Sequence, residues 1–167
     1  LGRFDTRFEG TDVDAAGETP GYDPSSTGIT GVYVSSFRDY LDRKLEYKSD
    51  LDYRVSGGQF LGRWDFSHRP AGGGFGPGGA MNDAYVAGDL ANAIRKNPSL
   101  KVLAANGLYD LATPFFQTQI NLERNLVPNI EFTYYPAGHM IYLDVNSLKQ
   151  FKSDLASWYD RTLNRAR

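Results

Sequence analysis

The sequence has no cysteine, so disulfides, thiolate metal sites and cysteine nucleophiles are all excluded. Its net charge is only −2, with both signs well mixed, which leaves no basic footprint for nucleic acid and no polybasic patch for a membrane surface. No apolar run approaches the roughly 18 residues of a membrane span, and these residues include no stretch with the make-up of a signal peptide, which says nothing of secretion. Two histidines are present, His68 and His139. The string G-x-S-x-G, the elbow that presents a nucleophilic serine between a strand and a helix, does not occur. The closest string is RVSGGQ around Ser56, which has Arg54 where the first glycine belongs and no clear helix behind it. The glycine-rich run Pro70 to Ala80 has no G-K-[ST] after it and opens no G-x-G-x-x-G turn, so it reads as a connection rather than a nucleotide loop. At 167 residues the chain suffices for one domain with a real core.

What is present concentrates between Lys101 and Asp144. KVLAAN (Lys101 to Asn106) is a short apolar run closed by Gly107, as expected for a strand buried on both faces of a parallel sheet. Asp110 falls in the loop after it. Thr113 and Pro114 read as a helix start, with Pro at a first-turn position and Phe115, Ile120, Leu122 and Leu126 as the apolar residues of the helix. Val127-Pro128-Asn129 ends it. IEFTYY (Ile130 to Tyr135) is a second strand by alternation and β-favouring composition, and Pro136-Ala137-Gly138 turns the chain so that His139 emerges beyond its end. Ligands of open α/β sheets bind outside the carboxyl ends of strands, where both Asp110 and His139 are delivered.

The segments GLYDLATPF (Gly107 to Phe115) and YPAGHMIYLD (Tyr135 to Asp144) resemble the acid and histidine segments of the serine carboxypeptidase family, peptidase group S10 of the α/β-hydrolases. Weaker similarity runs through LGRFDTRFEG (Leu1 to Gly10), YDPS (Tyr22 to Ser25) and DLANAIRKNPSLKVL (Asp89 to Leu103), the last resembling the bacterial branch. The resemblance implies an α/β fold: the C-terminal part of an α/β-hydrolase, with the last parallel core strands and flanking helices in 81–167 and part of a helical cap and linker in 1–80. It implies a serine-type carboxypeptidase in which Asp110 and His139 are catalytic. Thr113 and Met140 match positions that line substrate side-chain pockets. Triad members of α/β-hydrolases follow the chain order Ser, Asp, His, so the serine is expected upstream, in an N-terminal part or partner chain of the same enzyme. The chain is then a processed second chain or a truncated form, and its first residue, Leu1, fits that reading. A peptide is the implied substrate, and no cofactor or metal is implied. Plant and fungal members usually carry disulfides, so the absence of cysteine points to a bacterial-type relative, secreted or periplasmic. An esterase or acyltransferase using the same Asp and His, or an inert fragment serving as a binding module, are the alternatives.

The rest of the chain reads more simply. Leu1 to Ser26 is polar and rich in Gly and Pro, an extended segment lying over a neighbour, and the alternation of Arg3, Asp5 and Arg7 with Phe4 and Phe8 suits a short strand or a loop anchored by its aromatics, the surface loop being the favoured reading. Thr27 to Tyr47 is an amphipathic helix with Val32, Phe37, Tyr40, Leu41 and Leu45 as its stripe. In the resembling family such segments belong to the cap. LDYRV (Leu51 to Val55) is a possible strand, Trp64 and Phe66 are anchors for the turn region around them, and His68 reads as a loop histidine. Asn82 or Asp83 is expected to cap a helix carrying Val86, Leu90 and Ile94 that stops at Asn97-Pro98. Asn146 or Ser147 starts the last helix, with Ser147 and Gln150 at capping-box spacing and Leu148, Phe151, Leu155 and Trp158 as its buried stripe.

Overall fold

The structure, a computed structural model, describes residues 1–14, 16–58, 62–68, 81–82, 85–125 and 127–164. The glycine-rich run, Asp83, Leu126 and the end of the basic tail lie outside these residues. The order of elements is α1 (Pro24–Arg43), β1 (Ser67–His68), β2 (Met81–Asn82), α2 (Ala87–Lys96), β3 (Val102–Gly107), α3 (Phe115–Arg124), β4 (Ile130–Tyr135), a 3₁₀ turn (Ile141–Leu143) and α4 (Val145–Asn164). Mixed helix and strand is the α/β character expected from the sequence.

The centre of the molecule is the unit β3, α3, β4. The two strands pair in parallel from Val102 opposite Ile130 to Gly107 opposite Tyr135, so both chains leave the sheet at the same end. A parallel pair cannot be joined by a hairpin, and α3 supplies the crossover. Asn129 enters β4 with φ of 60°, a left-handed conformation that asparagine tolerates better than most residues, and its carbonyl accepts the Val102 N–H at 3.3 Å. β3 is buried only at its exit, Asn106 and Gly107, while Val102 to Ala105 are half-buried. This differs from the expected burial on both faces: among the described residues the sheet has only two strands, a narrow surface for helices to cover.

The core beside the sheet consists of Tyr135, Ala137 and Ile141, with Ala105 and Phe151 packed against them. Tyr135 and Phe151 meet edge to face at 5.5 Å, and the Tyr135 hydroxyl donates to Asp154 Oδ2 at 3.0 Å. Phe151, Leu155 and Trp158 are the half-buried face of α4, but Leu148 is exposed. Ser147 is turned inward in its place. The helix starts at Val145, and its cap is Asp144, whose Oδ1 accepts the Ser147 N–H at 2.7 Å, rather than a box formed by Ser147 and Gln150.

Other boundaries also shift. Helix α1 begins three residues before the expected Thr27, because Asp23 caps it through the Ser25 N–H at 2.9 Å and Pro24 occupies the first turn, where a missing N–H costs nothing. Its expected stripe is not buried: Val32, Phe37 and Tyr40 are exposed, and Phe37 meets the Tyr53 ring at 5.5 Å. Leu51 to Val55 forms no strand, and Trp64 and Phe66 are exposed rather than anchored. Helix α2 starts at Ala87 rather than after Asn82, which pairs with Ser67 in the short antiparallel β1–β2 ribbon, and it ends at Asn97 as expected. Ala91 and Ile94 are its buried residues. Pro114 stands just before α3 instead of inside its first turn.

Candidate active site

The parallel register carries Gly107 and Tyr135 to the same level, and the two turns that follow are joined to each other. Leu108 N–H donates to Tyr135 O at 2.9 Å, and Tyr109 N–H donates to Ala137 O at 3.0 Å. The approach is close enough that a Cβ on Gly107 would lie 2.1 Å from the Gly138 carbonyl oxygen. Asp110 and His139 therefore meet across the carboxyl ends of β3 and β4, as the sequence predicts.

Asp110 is 6% exposed and accepts four hydrogen bonds. Its Oδ1 takes the backbone N–H groups of Ala112 at 2.7 Å and Thr113 at 2.9 Å. Its Oδ2 takes the Thr113 hydroxyl at 2.7 Å and His139 Nδ1 at 2.8 Å. Burial alone pushes the carboxyl up, but the Thr113 hydroxyl and amide, His139 and the Ala112 amide outweigh it and hold it below the ordinary 3.8. An ionised carboxylate only accepts, so Nδ1 of His139 carries a proton, and in the neutral ring the lone pair is on Nε2. Nε2 makes no hydrogen bond among the described residues, and the side chain is 39% exposed. The pair is thus a base whose tautomer is fixed from behind by a carboxylate.

The remaining expected residues fall as follows. Thr113 is brought to the pair: its hydroxyl is donated to Asp110 and lies 3.1 Å from His139 Nδ1. Met140 follows His139 at the head of the 3₁₀ turn and is half-buried. Ser56 is not near the pair in its bonding; its Oγ accepts the Gly58 N–H in a local turn. His68 bonds elsewhere, through Nε2 to Asp89 Oδ2 of α2 at 2.7 Å. An open cleft of about 1000 Å³ between α1 and residues 47–55 includes neither Asp110 nor His139.

Residues 1–8, expected to lie over a neighbour, form a strap whose partners the sequence did not disclose. It contains no strand, but it is not a surface loop: Gly2 and Asp5 are buried. It lies against both turns. Leu111 N–H donates to Arg3 O at 3.0 Å and Thr6 N–H to Tyr109 O at 3.0 Å on the Asp110 side. His139 N–H donates to Phe4 O at 2.7 Å and Arg7 Nη1 to Pro136 O at 3.1 Å on the other. Asp5 pairs with Arg7 at 2.7 Å, and the Arg7 guanidinium lies 4.9 Å from the Tyr109 ring centroid. Burial raises the Asp5 carboxyl, while Arg7 and the Gly138 amide more than compensate and leave it lowered. The alternation of Arg and Phe with Asp5 was the available signal.

Asp5 and Asp110 make stability depend on acid in one direction. Both carboxyls have folded values below the ordinary 3.8. Their contribution is complete above that value and is lost as pH falls through the lowered folded values, where the native state finally takes up the protons. Thermal midpoints of the parent chain are expected to fall steadily between about pH 4 and pH 2, and the fall to be shallower in the double variant Asp5→Asn, Asp110→Asn. Equal slopes for parent and variant would contradict this assignment.

Comparison with protein-family models, curated proteins and solved structures found no match for this chain.

Proposed function

We propose that this chain supplies the acid and the base of a serine hydrolase, a carboxypeptidase acting on the free C-terminal end of a peptide. The observation that carries the reading is the 2.8 Å bond from His139 Nδ1 to a buried, four-fold bonded Asp110, with Nε2 left unpaired among the described residues at the exit of two parallel strands. The resemblance of Gly107 to Phe115 and Tyr135 to Asp144 to the acid and histidine segments of serine carboxypeptidases supplies the reaction class. In this reading a serine from outside these residues gives its proton to Nε2 as it attacks the scissile carbonyl. The imidazolium is stabilised by Asp110, and the same proton is then delivered to the leaving amine. Thr113 steadies the carboxylate, and Met140, next to the base, is a neighbour of the bound side chain.

The test is covalent. Treated with a fluorophosphonate probe as purified, the protein is expected to give an adduct on a co-purifying chain or segment, read by intact mass, and the adduct is expected to disappear in His139→Gln. An adduct on this chain at Ser56 or any other of its serines, or none in the presence of the upstream segment, would overturn the reading.

A further inference from the structure

We propose that Phe4 is the positioning residue for His139, holding the imidazole in the orientation that the proposed base needs; the inference rests on that reading of the site. A histidine tied to a carboxylate through Nδ1 alone can still rock about its broad second side-chain torsion. Phe4 restrains both parts of the residue. Its carbonyl accepts the His139 backbone N–H at 2.7 Å, and its ring lies 5.3 Å from the imidazole centroid at a 51° tilt. The backbone bond fixes where the side chain starts, and the ring limits where it swings.

Phe4 is itself held from three directions. Its N–H donates to Ser25 Oγ at 3.1 Å, in the first turn of α1, and the preceding Arg3 N–H donates to the capping Asp23 Oδ1 at 3.1 Å. Ser25 is buried, and its hydroxyl is in turn bonded to Asp23. Arg3 O takes the Leu111 N–H, and the Arg3 guanidinium lies 5.6 Å from the Phe4 ring centroid. The strap therefore ties the start of α1, the acid loop and the base loop to one phenyl ring. A surface loop of this composition has no need of a buried serine to hold the amide of a residue whose ring packs at a tilt against the exposed imidazole of His139.

The experiment is nitrogen NMR on the 167-residue chain, with the two histidines separated by a His68→Gln control. The parent is expected to show His139 as the Nδ1–H tautomer, a slowly exchanging Nδ1 proton, and cross-relaxation between that imidazole and the Phe4 ring. In Phe4→Leu the exchange rate of that proton is expected to rise about threefold to tenfold, the range an aromatic pair is worth. Phe4→Tyr is expected to restore the parent rate. A rate unchanged in a folded Phe4→Leu chain overturns the proposal. Should that variant not fold, the absence of Phe4 to His139 cross-relaxation in the parent overturns it equally. None of these signals needs a nucleophile, so a failed fluorophosphonate adduct alongside a positive NMR result removes the hydrolase reading and leaves the positioning intact.

Discussion

If the proposed serine hydrolase is right, Asp110→Asn is expected to slow its fluorophosphonate labelling by about 10⁴-fold, the loss that follows when a triad histidine is held in the wrong tautomer. The reason lies in how four donors share two oxygens. Oδ1 is fixed by two backbone N–H groups, from Ala112 and Thr113, which cannot turn away. The carbonyl oxygen of the introduced amide must therefore occupy that position, because an amide nitrogen accepts nothing. Its NH₂ group then faces the Thr113 hydroxyl and His139 Nδ1. The hydroxyl can rotate to accept. The imidazole can accept only by moving its proton to Nε2, and the lone pair that should take the proton from serine is gone. Labelling rates of parent and variant, measured at one pH and at a temperature where both are fully folded, check this; a loss under about tenfold would remove Asp110 from the proposed mechanism.

Gly138→Ala is expected to cost about 3 kcal/mol of stability, at the upper end for an overpacked site. A Cβ there would lie 2.4 Å from the Phe4 carbonyl oxygen and 2.5 Å from the Asp5 Cβ. Gly138 also faces Gly107 on its other side, where its own carbonyl oxygen is the nearest atom. Strand exit, base loop and strap are thus stacked closely, and the Asp5 side chain that also meets the added carbon is buried and held by Arg7, so it cannot easily give way. Urea unfolding of the variant against Gly62→Ala, where nothing among the described residues lies within 4 Å of the added carbon, isolates the packing cost. A difference below about 1 kcal/mol would mean that the three layers can separate.

The parts that were legible in the sequence are those whose cause is local. KVLAAN and IEFTYY are runs whose composition favours strands, they are separated by one helix-length segment, and a parallel pair follows from that spacing. Asp110 and His139 were legible because each stands a few residues past such a run. Helix starts were less so. Asp23-Pro24 is a strong start signal that the surrounding glycines obscured, and Asp144 was passed over because Ser147 with Gln150 offered a familiar spacing. That the first residues lie over a neighbour was legible in their composition, but which neighbour and through which residues was not. Phe4 owes its position to Ser25 and His139, Arg7 to Pro136 and Tyr109, and no window along the chain contains those pairs. The stripe expected along α1 leaves Val32 and Tyr40 exposed, since a stripe records only what a helix could bury.

The strap also sets an order of assembly. Asp110 and His139 are 29 residues apart, whereas the bond from Arg7 to Pro136 closes a separation of 129. Loop-closure entropy makes the longer connection dearer by about 1.3 kcal/mol, so β3, α3 and β4 can bring acid and base together as a local event before the chain's first residues arrive. By that measure the acid and the base can meet before the strap closes over them, and the alignment that the strap gives them is completed only when it does.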